Sequence, residues 1–312
     1  MIVQIMTKTK AKPFLKWAGG KTQLLPTIHH FLPVSFEKET ITYIEPFVGG
    51  GAVLFFLLQR YPNIKKAVIN DINPHLINVY MVIREQPHRL IDLLKEIQIC
   101  YHASDDNDSQ REFYLLIRDK FNAGNMNNVE EAAYMIFMNR TCFNGLYREN
   151  SRGGFNVPFG RYVNPTICDE ELIISDSELL QRVEILNGDF SLTKNYMDGY
   201  TFMYLDPPYR PLSSTARFNS YVKGSFDDKE QIRLKDFYVE LSNAGCYTLL
   251  SNSDGKYMNP DDCFFDELYK DFFIERVNAK RSINSNPNKR GAITELLIRN
   301  YHDCLGQKEC LF

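Results

Sequence analysis

The densest chemical signal in the chain is Asp206-Pro207-Pro208-Tyr209, which follows directly on the apolar run 201–205. A short apolar run bounded by turn residues reads as a buried strand. The motif therefore sets a carboxylate, two rigid prolines and an aromatic ring at a strand's carboxyl end, the edge where α/β sheets bind ligands. The chemistry such a set suits is transfer of a methyl group to an exocyclic amine. The lone pair of an adenine N6 is conjugated into the ring, and acceptors aimed at its two N–H bonds help the nitrogen become tetrahedral. Asp206 can supply one acceptor and the Pro207 carbonyl the other, while the prolines bring no competing N–H. Tyr209 can stack on the base, worth roughly 1–3 kcal/mol. That offsets part of the few kcal/mol needed to flip a nucleotide out of a duplex. The plainer alternative is a proline-rich turn that ends a strand.

A second signal is Ile44-Glu45-Pro46-Phe47-Val48-Gly49-Gly50-Gly51, again an apolar run leading into glycines. Gly49 and Gly51 match the first two glycines of a dinucleotide fingerprint, but Leu54 takes the third place, which weakens a nicotinamide reading. S-adenosylmethionine (SAM) has no pyrophosphate and needs close backbone approach without the full fingerprint. Asp71 ends the next apolar run, where an acid can accept from ribose hydroxyls. Asp189-Phe190 follows the strand-like run 183–186 and can hold an adenine between an acceptor and a ring. Trp17-Ala18-Gly19-Gly20-Lys21-Thr22 ends in a P-loop-like Gly-Lys-Thr, but Leu15 stands where the first P-loop glycine belongs and no strand precedes it.

These residues need elements to hold them. Strand-like runs at 43–45, 67–71, 201–205, 247–251 and 293–298 alternate with helical patterns at 23–31, 52–60 and 229–244. That predicts an α/β fold, a mostly parallel, doubly wound sheet. Between residues 74 and 186 the periodicity turns helical, at 75–84, 90–99, 111–121, 129–138 and 169–180. The polar run 104–109 reads as a loop. The irregular stretch 144–162, with Gly153-Gly154 as a candidate hairpin turn, stands out among the helices. The expected organisation is a catalytic domain of residues 1–73 and 187–312, with residues 74–186 inserted as a second, helical domain bearing the 144–162 hairpin.

With 312 residues, 44% apolar and 24% charged, the chain has a globular composition. No run approaches the roughly 18 apolar residues that cross a bilayer, and residues 1–6 are too short for a signal segment. The seven cysteines show no C-x-x-C spacing, which argues against zinc and against a disulfide framework. The expectation is a cytoplasmic protein without a metal or a membrane partner, a monomer by default. The net charge of −3 is not that of a typical nucleic-acid binder. Distribution matters more than the sum: Arg140, Arg148, Arg152 and Arg161 face Glu149 alone within 140–161. Arg276, Lys280, Arg281, Lys289 and Arg290 face Glu275 alone within 275–290.

The order Trp-Ala-Gly-Gly-Lys, Phe-x-Gly-Gly-Gly, insertion, Asp-Pro-Pro-Tyr resembles the Dam family of site-specific DNA adenine-N6 methyltransferases, the alpha-ordered D12 class. The resemblance runs from Pro13 to Tyr301. It includes Asn139-Arg140, Phe143-Asn144-Gly145-Leu146-Tyr147-Arg148, Phe155-Asn156-Val157-Pro158-Phe159-Gly160-Arg161-Tyr162, Pro211-Leu212-Ser213, Leu250 to Asp254, and Arg281 to Asn286. It implies a Rossmann-like SAM-dependent sheet with an inserted target-recognition domain. It implies SAM contacts at Trp17, Lys21, Glu45, Pro46, Phe47, Gly49, Gly51, Asp71, Asp189, Phe190 and Asp206, with S-adenosylhomocysteine as product. Catalysis falls to Asp206, Pro207, Pro208 and Tyr209. On duplex DNA, Arg148 matches the guanine reader, Asn144, Leu146 and Pro158 neighbours of the target pair, and Lys16 a residue near the first base pair. Asn150, Asn156 and Arg161 match phosphate contacts, and Tyr162 closes the DNA-binding set. Family members with this hairpin typically modify GATC, and relatives with longer GAT-containing sites share much of it; a different GA-containing target is the alternative. A restriction endonuclease of the same system is a possible partner.

Several other readings fit less well. Cytosine-N4 enzymes usually carry Ser, and RNA or protein-glutamine methyltransferases more often Asn, in place of Asp206. A catalytically inactive DNA-binding relative would have little reason to keep Asp206 together with the SAM set. The chain also lacks the H-x-E and P-C-x-x-C signature of a zinc deaminase.

Overall fold

The apolar runs become the centre of a sheet. The computed structural model describes residues 10–103, 106–210, 226–280 and 292–306. The motifs at 211–213 and 281–286, much of the second basic segment and Cys310 lie outside the described residues. Seven strands are present among the described residues: β1 (Ile41–Glu45), β2 (Ile64–Asp71), β3 (Val183–Asn187), β4 (Tyr200–Leu205), β5 (Tyr247–Ser253), β6 (Phe273–Lys280) and β7 (Ala292–Arg299). Their order is β3-β2-β1-β4-β5-β7-β6. Pairing is parallel for β1 with β2 and β4, and for β4 with β5. β7 is antiparallel to both β5 and β6. All five residues of β1 and the last five of β4 are buried. A strand covered on both faces reads as a continuous apolar run, which is why these strands are visible in the sequence. β6, with the sequence FIERVNAK, was not expected, because charged and polar residues interrupt its apolar positions.

The chain divides into two compact units. One comprises Lys21–Val48, Tyr61–Asn70 and Asp189–Phe312. It contains β1, nearly all of β2, β4 to β7, helix α1 (Leu25–His30) and helix α8 (Asp228–Asn243). Within it, Ile44 pairs with Met203 and Leu205 with Leu250. The carboxyl ends of β1 and β4 therefore emerge side by side, at the point where the strand order reverses. Such a switch point opens a crevice for ligands.

The other unit comprises Met1–Gly20, Gly49–Arg60 and Asp71–Gly188. Its helices are α2 (Ala52–Arg60), α3 (Pro74–Glu85), α4 (Pro87–His102), α5 (Asn107–Ala123), α6 (Asn128–Thr141) and α7 (Glu170–Leu180). Helix α6 packs against α3, α4 and α5 and is apolar nearly all round, as a helix at the centre of a bundle must be. It opens with a capping box between Asn127 and Glu130. α5 begins inside the polar run read as a loop, because Asp106 accepts from Ser109 N and so caps the new helix.

Helix α7 buries Asp176 completely. Its Oδ1 accepts from Lys12 N at 3.1 Å, and its Oδ2 has no partner among the described residues. Burial pushes the carboxyl up to about 8, against the pull of the Lys12 N–H. An unfolded aspartate titrates near about 3.9, so the folded state holds this proton more tightly. Its contribution to stability is complete below about pH 4 and is lost as pH rises through about 8. Denaturant titrations should show stability falling across that window, and Asp176→Asn should remove this part of the pH dependence. An unchanged slope in the variant would contradict the assignment.

Candidate functional site

At the end of β4 the Asp206 carboxylate meets Lys21, Nζ to Oδ1 at 2.8 Å, with side-chain exposures of 18% and 5%. Burial raises the Asp206 carboxyl to about 6; the Lys21 charge and hydrogen bond hold it down, and the charge of Glu295 adds to the rise. Lys21 Nζ also lies 4.6 Å from the Tyr209 ring centroid, and the Tyr209 hydroxyl donates to Glu295 on β7 at 2.6 Å. The backbone after the motif is anchored as firmly. Gln231 on α8 donates to the Pro208 carbonyl at 3.1 Å and accepts from Asn252. Arg210, buried, forks onto Asp228 at 2.7 and 3.1 Å and reaches Asp262 at 2.9 Å. Carboxylate, prolines and ring thus sit on a framework of satisfied polar groups.

On the neighbouring strand, Glu45 is buried and accepts from the Tyr43 hydroxyl at 2.7 Å. The Pro46 carbonyl accepts from Asn70 at the end of β2 at 3.0 Å. Phe47 lies 5.3 Å from Phe190, and Phe226 packs on both rings. Asp189 is forked by Arg233 of α8 at 3.0 and 2.7 Å, which with two Ser191 contacts holds its carboxyl down at about 2. The same guanidinium covers the Phe190 ring at 4.1 Å. Asp189 is ionised and fixed, with lone pairs left for a further donor.

In the other unit, Gly49 and Gly51 have φ of +48° and +74°. A Cβ on Gly49 would stand 2.9 Å from Trp17 Cδ1, and one on Gly51 2.5 Å from the Tyr80 hydroxyl. Only glycine fits this turn. Asp71 closes it: Oδ2 accepts from Gly49 N at 3.1 Å and Oδ1 from Asn73 N at 3.0 Å. Burial raises the Asp71 carboxyl, and these backbone contacts oppose the rise. Trp17 is half-buried and stacks on Tyr147, 5.4 Å between centroids.

The 144–162 stretch forms a narrow antiparallel hairpin. Asn156 N donates to the Arg148 carbonyl, Asn150 N to that of Gly154, and Gly153 N closes the turn onto Asn150 at 2.9 Å. The turn thus spans 150–153, and Gly153 supplies the positive φ of +80°. Helices brace it from behind: Tyr114 donates to the Val157 carbonyl, and Asn122 both donates to and accepts from Phe155. Asn139 takes the Lys16 N–H at 2.9 Å and donates to the carbonyls of Lys16 and Gly145. Arg148 is exposed, its Nε held by Asn156 Oδ1 at 2.7 Å. Asn150 Oδ1 caps the turn by accepting from Arg152 N and Gly154 N. Tyr162 Oη accepts from Asn144 N, and Lys16 Nζ lies 5.1 Å from the Tyr162 ring. Leu146 is half-buried and Pro158 exposed. Among the described residues, the two non-glycines with positive φ are Asn144 and Arg161, at +57° and +56°. Strain of this kind persists only where the surrounding structure over-determines it.

The structure adds participants that the sequence reading missed. Glu295, Gln231 and Arg233 belong to no motif, Asn252 stands in the 250–254 motif without an assigned role, and only their contacts reveal them. Ile72, 72% exposed beside Asp71, and Phe143, 51% exposed beside Asn144, are large apolar groups flanking predicted ligand contacts. An apolar residue adjacent to each predicted polar contact was the available signal.

A seven-stranded mixed α/β sheet, with a glycine turn after β1 and Asp-Pro-Pro-Tyr after β4, defines a Rossmann-like methyltransferase. Residues 17–283 match the model of the D12 class N6 adenine-specific DNA methyltransferases, and the chain belongs to that family. It is 48% identical over 296 residues to a type II methyltransferase, M.MjaIII, of Methanocaldococcus jannaschii, covering 94% of this chain and all of that protein. Identity is 42% over 300 residues to the type II methyltransferase M1.LlaDCHI of Lactococcus lactis, covering 94% and 97%. It is 35% over 290 residues to a DNA adenine methylase of Vibrio cholerae, covering 92% and 95%. The chain is a DNA adenine-N6 methyltransferase, as the resemblance implied.

Carboxyl-carbon NMR of labelled protein should place the Asp206 midpoint at about 6. Lys21→Met removes the group that lowers it, so the midpoint should climb. A fall, or no movement, would break the proposed pairing.

Proposed function

We propose that this enzyme moves a methyl group from SAM to N6 of an adenine flipped out of duplex DNA, within GATC or another GA-containing site. The observation that carries the reading is Asp206: a carboxylate at the end of a buried strand, held by Lys21 and followed by a tethered proline-aromatic segment. Asp206 and the Pro207 carbonyl accept the two N6 hydrogens, and Tyr209 stacks on the base. The glycine turn fits SAM, because the positions where a Cβ would collide leave bare backbone and Asp71 keeps acceptor capacity for ribose hydroxyls. Trp17, Lys21, Glu45, Pro46, Phe47, Gly49, Gly51, Asp71, Asp189, Phe190 and Asp206 form the cofactor set; bound SAM supplies an electrophilic methyl group.

Residues 74–186 act as the target-recognition domain, and residues 1–73 and 187–312 carry the chemistry. Arg148, oriented by Asn156, reads a guanine edge, a contact worth about 1–3 kcal/mol of discrimination. Lys16, Asn144, Leu146 and Pro158 lie beside base pairs, and Asn150, Asn156, Arg161 and Tyr162 along the backbone. The enzyme works as a monomer in the cytoplasm. The names of the relatives from Methanocaldococcus and Lactococcus support pairing with an endonuclease, and that of the Vibrio relative supports adenine as target.

Plasmid methylation with site-resolved mapping of N6-methyladenine tests the reading, and absence of the mark from GA-containing sites would refute it. Asp206→Ala should abolish transfer while DNA binding survives; near-native turnover would exclude its catalytic role. Because Asp206 must be ionised to accept, kcat/KM should fall about tenfold per pH unit below about 6. Arg148→Ala should relax discrimination at guanine, whereas Arg161→Ala should weaken all sequences alike and flatten the salt dependence. Equal losses for Arg148→Ala on cognate and altered sites would remove it as the reader.

A further inference from the structure

β7 runs against its neighbour, with Glu295 opposite Ser253 of β5. An antiparallel strand presents its first residues where the parallel strands present their last. Glu295 therefore arrives at the same edge as Asp206, although it lies far from the motif in sequence. Its Oε2 takes the Tyr209 hydroxyl at 2.6 Å, a short hydrogen bond. A tyrosine fixed at its hydroxyl cannot swing its ring freely, and an ordered ring is a better stacking surface than a mobile one.

Electrostatics point the same way. The Lys21 ammonium stabilises Asp206 as an anion but also weakens it as an acceptor, because it competes for the same lone pairs. A second negative charge offsets that effect. The charged and titratable groups coupled to Asp206 are Lys21, Glu295 on β7, Tyr43 on β1, Tyr204 on β4 and Tyr209 itself. Tyr43 and Tyr204 are buried, and their hydroxyls engage Glu45 and Ser251. Burial drives both phenols well above their ordinary range, so they stay neutral. Glu295 is thus the carboxylate that tunes Asp206.

We propose that Glu295 is a positioning residue for the methyl transfer: it fixes the Tyr209 ring through its hydroxyl, and its charge strengthens the Asp206 carboxylate as an acceptor. The role rests on the function proposed above for Asp206 and Tyr209. Glu295→Gln separates the two effects, since the amide oxygen can still accept from Tyr209 while the charge is gone. Glu295→Ala removes both.

Two readouts on the full-length protein decide the matter. Carboxyl NMR follows Asp206 directly and needs no activity; steady-state transfer of labelled methyl from SAM to duplex DNA across the pH range gives kcat and KM. For Glu295→Gln, the Asp206 midpoint should drop below the wild-type value of about 6, and the acid limb of kcat/KM should move with it. At pH 8 its kcat should fall about twofold, the loss left when the charge goes but the Tyr209 contact stays. Glu295→Ala should show the same drop in midpoint and lose about tenfold in kcat at pH 8, with KM for DNA little changed. An unmoved midpoint in Glu295→Gln, or wild-type kcat in Glu295→Ala, would overturn the proposal. If the wild-type protein moves no methyl group to DNA, the functional reading falls instead, and the midpoint still decides whether Glu295 acts on Asp206.

Discussion

The arrangement at the sheet edge follows from one constraint: a carboxylate placed at the end of a fully buried strand must be compensated. Taking an ion out of water costs several kcal/mol unless charge and hydrogen bonds replace the lost hydration. Lys21 supplies the charge, at 2.8 Å, from the short segment before α1. One cation against a buried acid leaves the acid with a high proton affinity rather than a low one, hence a midpoint near 6 instead of the usual carboxylate range. The backbone beyond it is held by groups that are themselves buried and paired: Gln231 on the Pro208 carbonyl, Asn252 on Gln231, Arg210 between Asp228 and Asp262. Removing any one partner would strand another without a bond, so the motif's geometry is over-determined.

The hairpin solves a different problem. It must present polar side chains outward while keeping a strained backbone, with Asn144 and Arg161 both left-handed. Its own few cross-strand bonds could not hold that conformation, since an isolated hairpin is marginal in water. The helices behind supply the missing rigidity through side chains that bond to backbone: Tyr114, Asn122 and Asn139. An exposed loop on a stiff support is the usual division of labour between function and scaffold.

What the sequence disclosed follows the same physics. Strands buried on both faces are continuous apolar runs, so β1, β4 and β5 could be seen; β6, an edge strand with Glu275 and Arg276 in its middle, could not. Asp206, Asp71 and the glycines were legible because they sit at strand ends, where a local pattern changes abruptly. Glu295 and Arg233 were not, because each acts through a partner distant in sequence, Tyr209 for the one and Asp189 for the other. Asn139 and Asn156 stood in recognisable motifs, yet nothing in those motifs indicated that the first clamps Lys16 and the second orients Arg148. Contacts between side chains far apart in the chain leave no periodic trace.

Charge pairing resolves the apparent conflict between a net charge of −3 and a DNA substrate. In the sheet-bearing unit the guanidinium groups and the site lysine are matched among the described residues: Lys21 by Asp206, Arg210 by Asp228 and Asp262, Arg233 by Asp189 and Glu230, Arg276 by Asp254 and Asp266, Arg299 by Glu275. Around the hairpin they are not. Among the described residues, Lys16, Arg148, Arg152 and Arg161 form no ion pair, and the partner of Arg148 is the neutral amide of Asn156. An amide fixes the guanidinium without cancelling its charge, which a carboxylate at the same place would do. Binding to a polyanion depends on cations whose field is left uncompensated at the surface. A mildly acidic chain can therefore offer DNA a positive face, provided its acids are spent elsewhere on holding the fold.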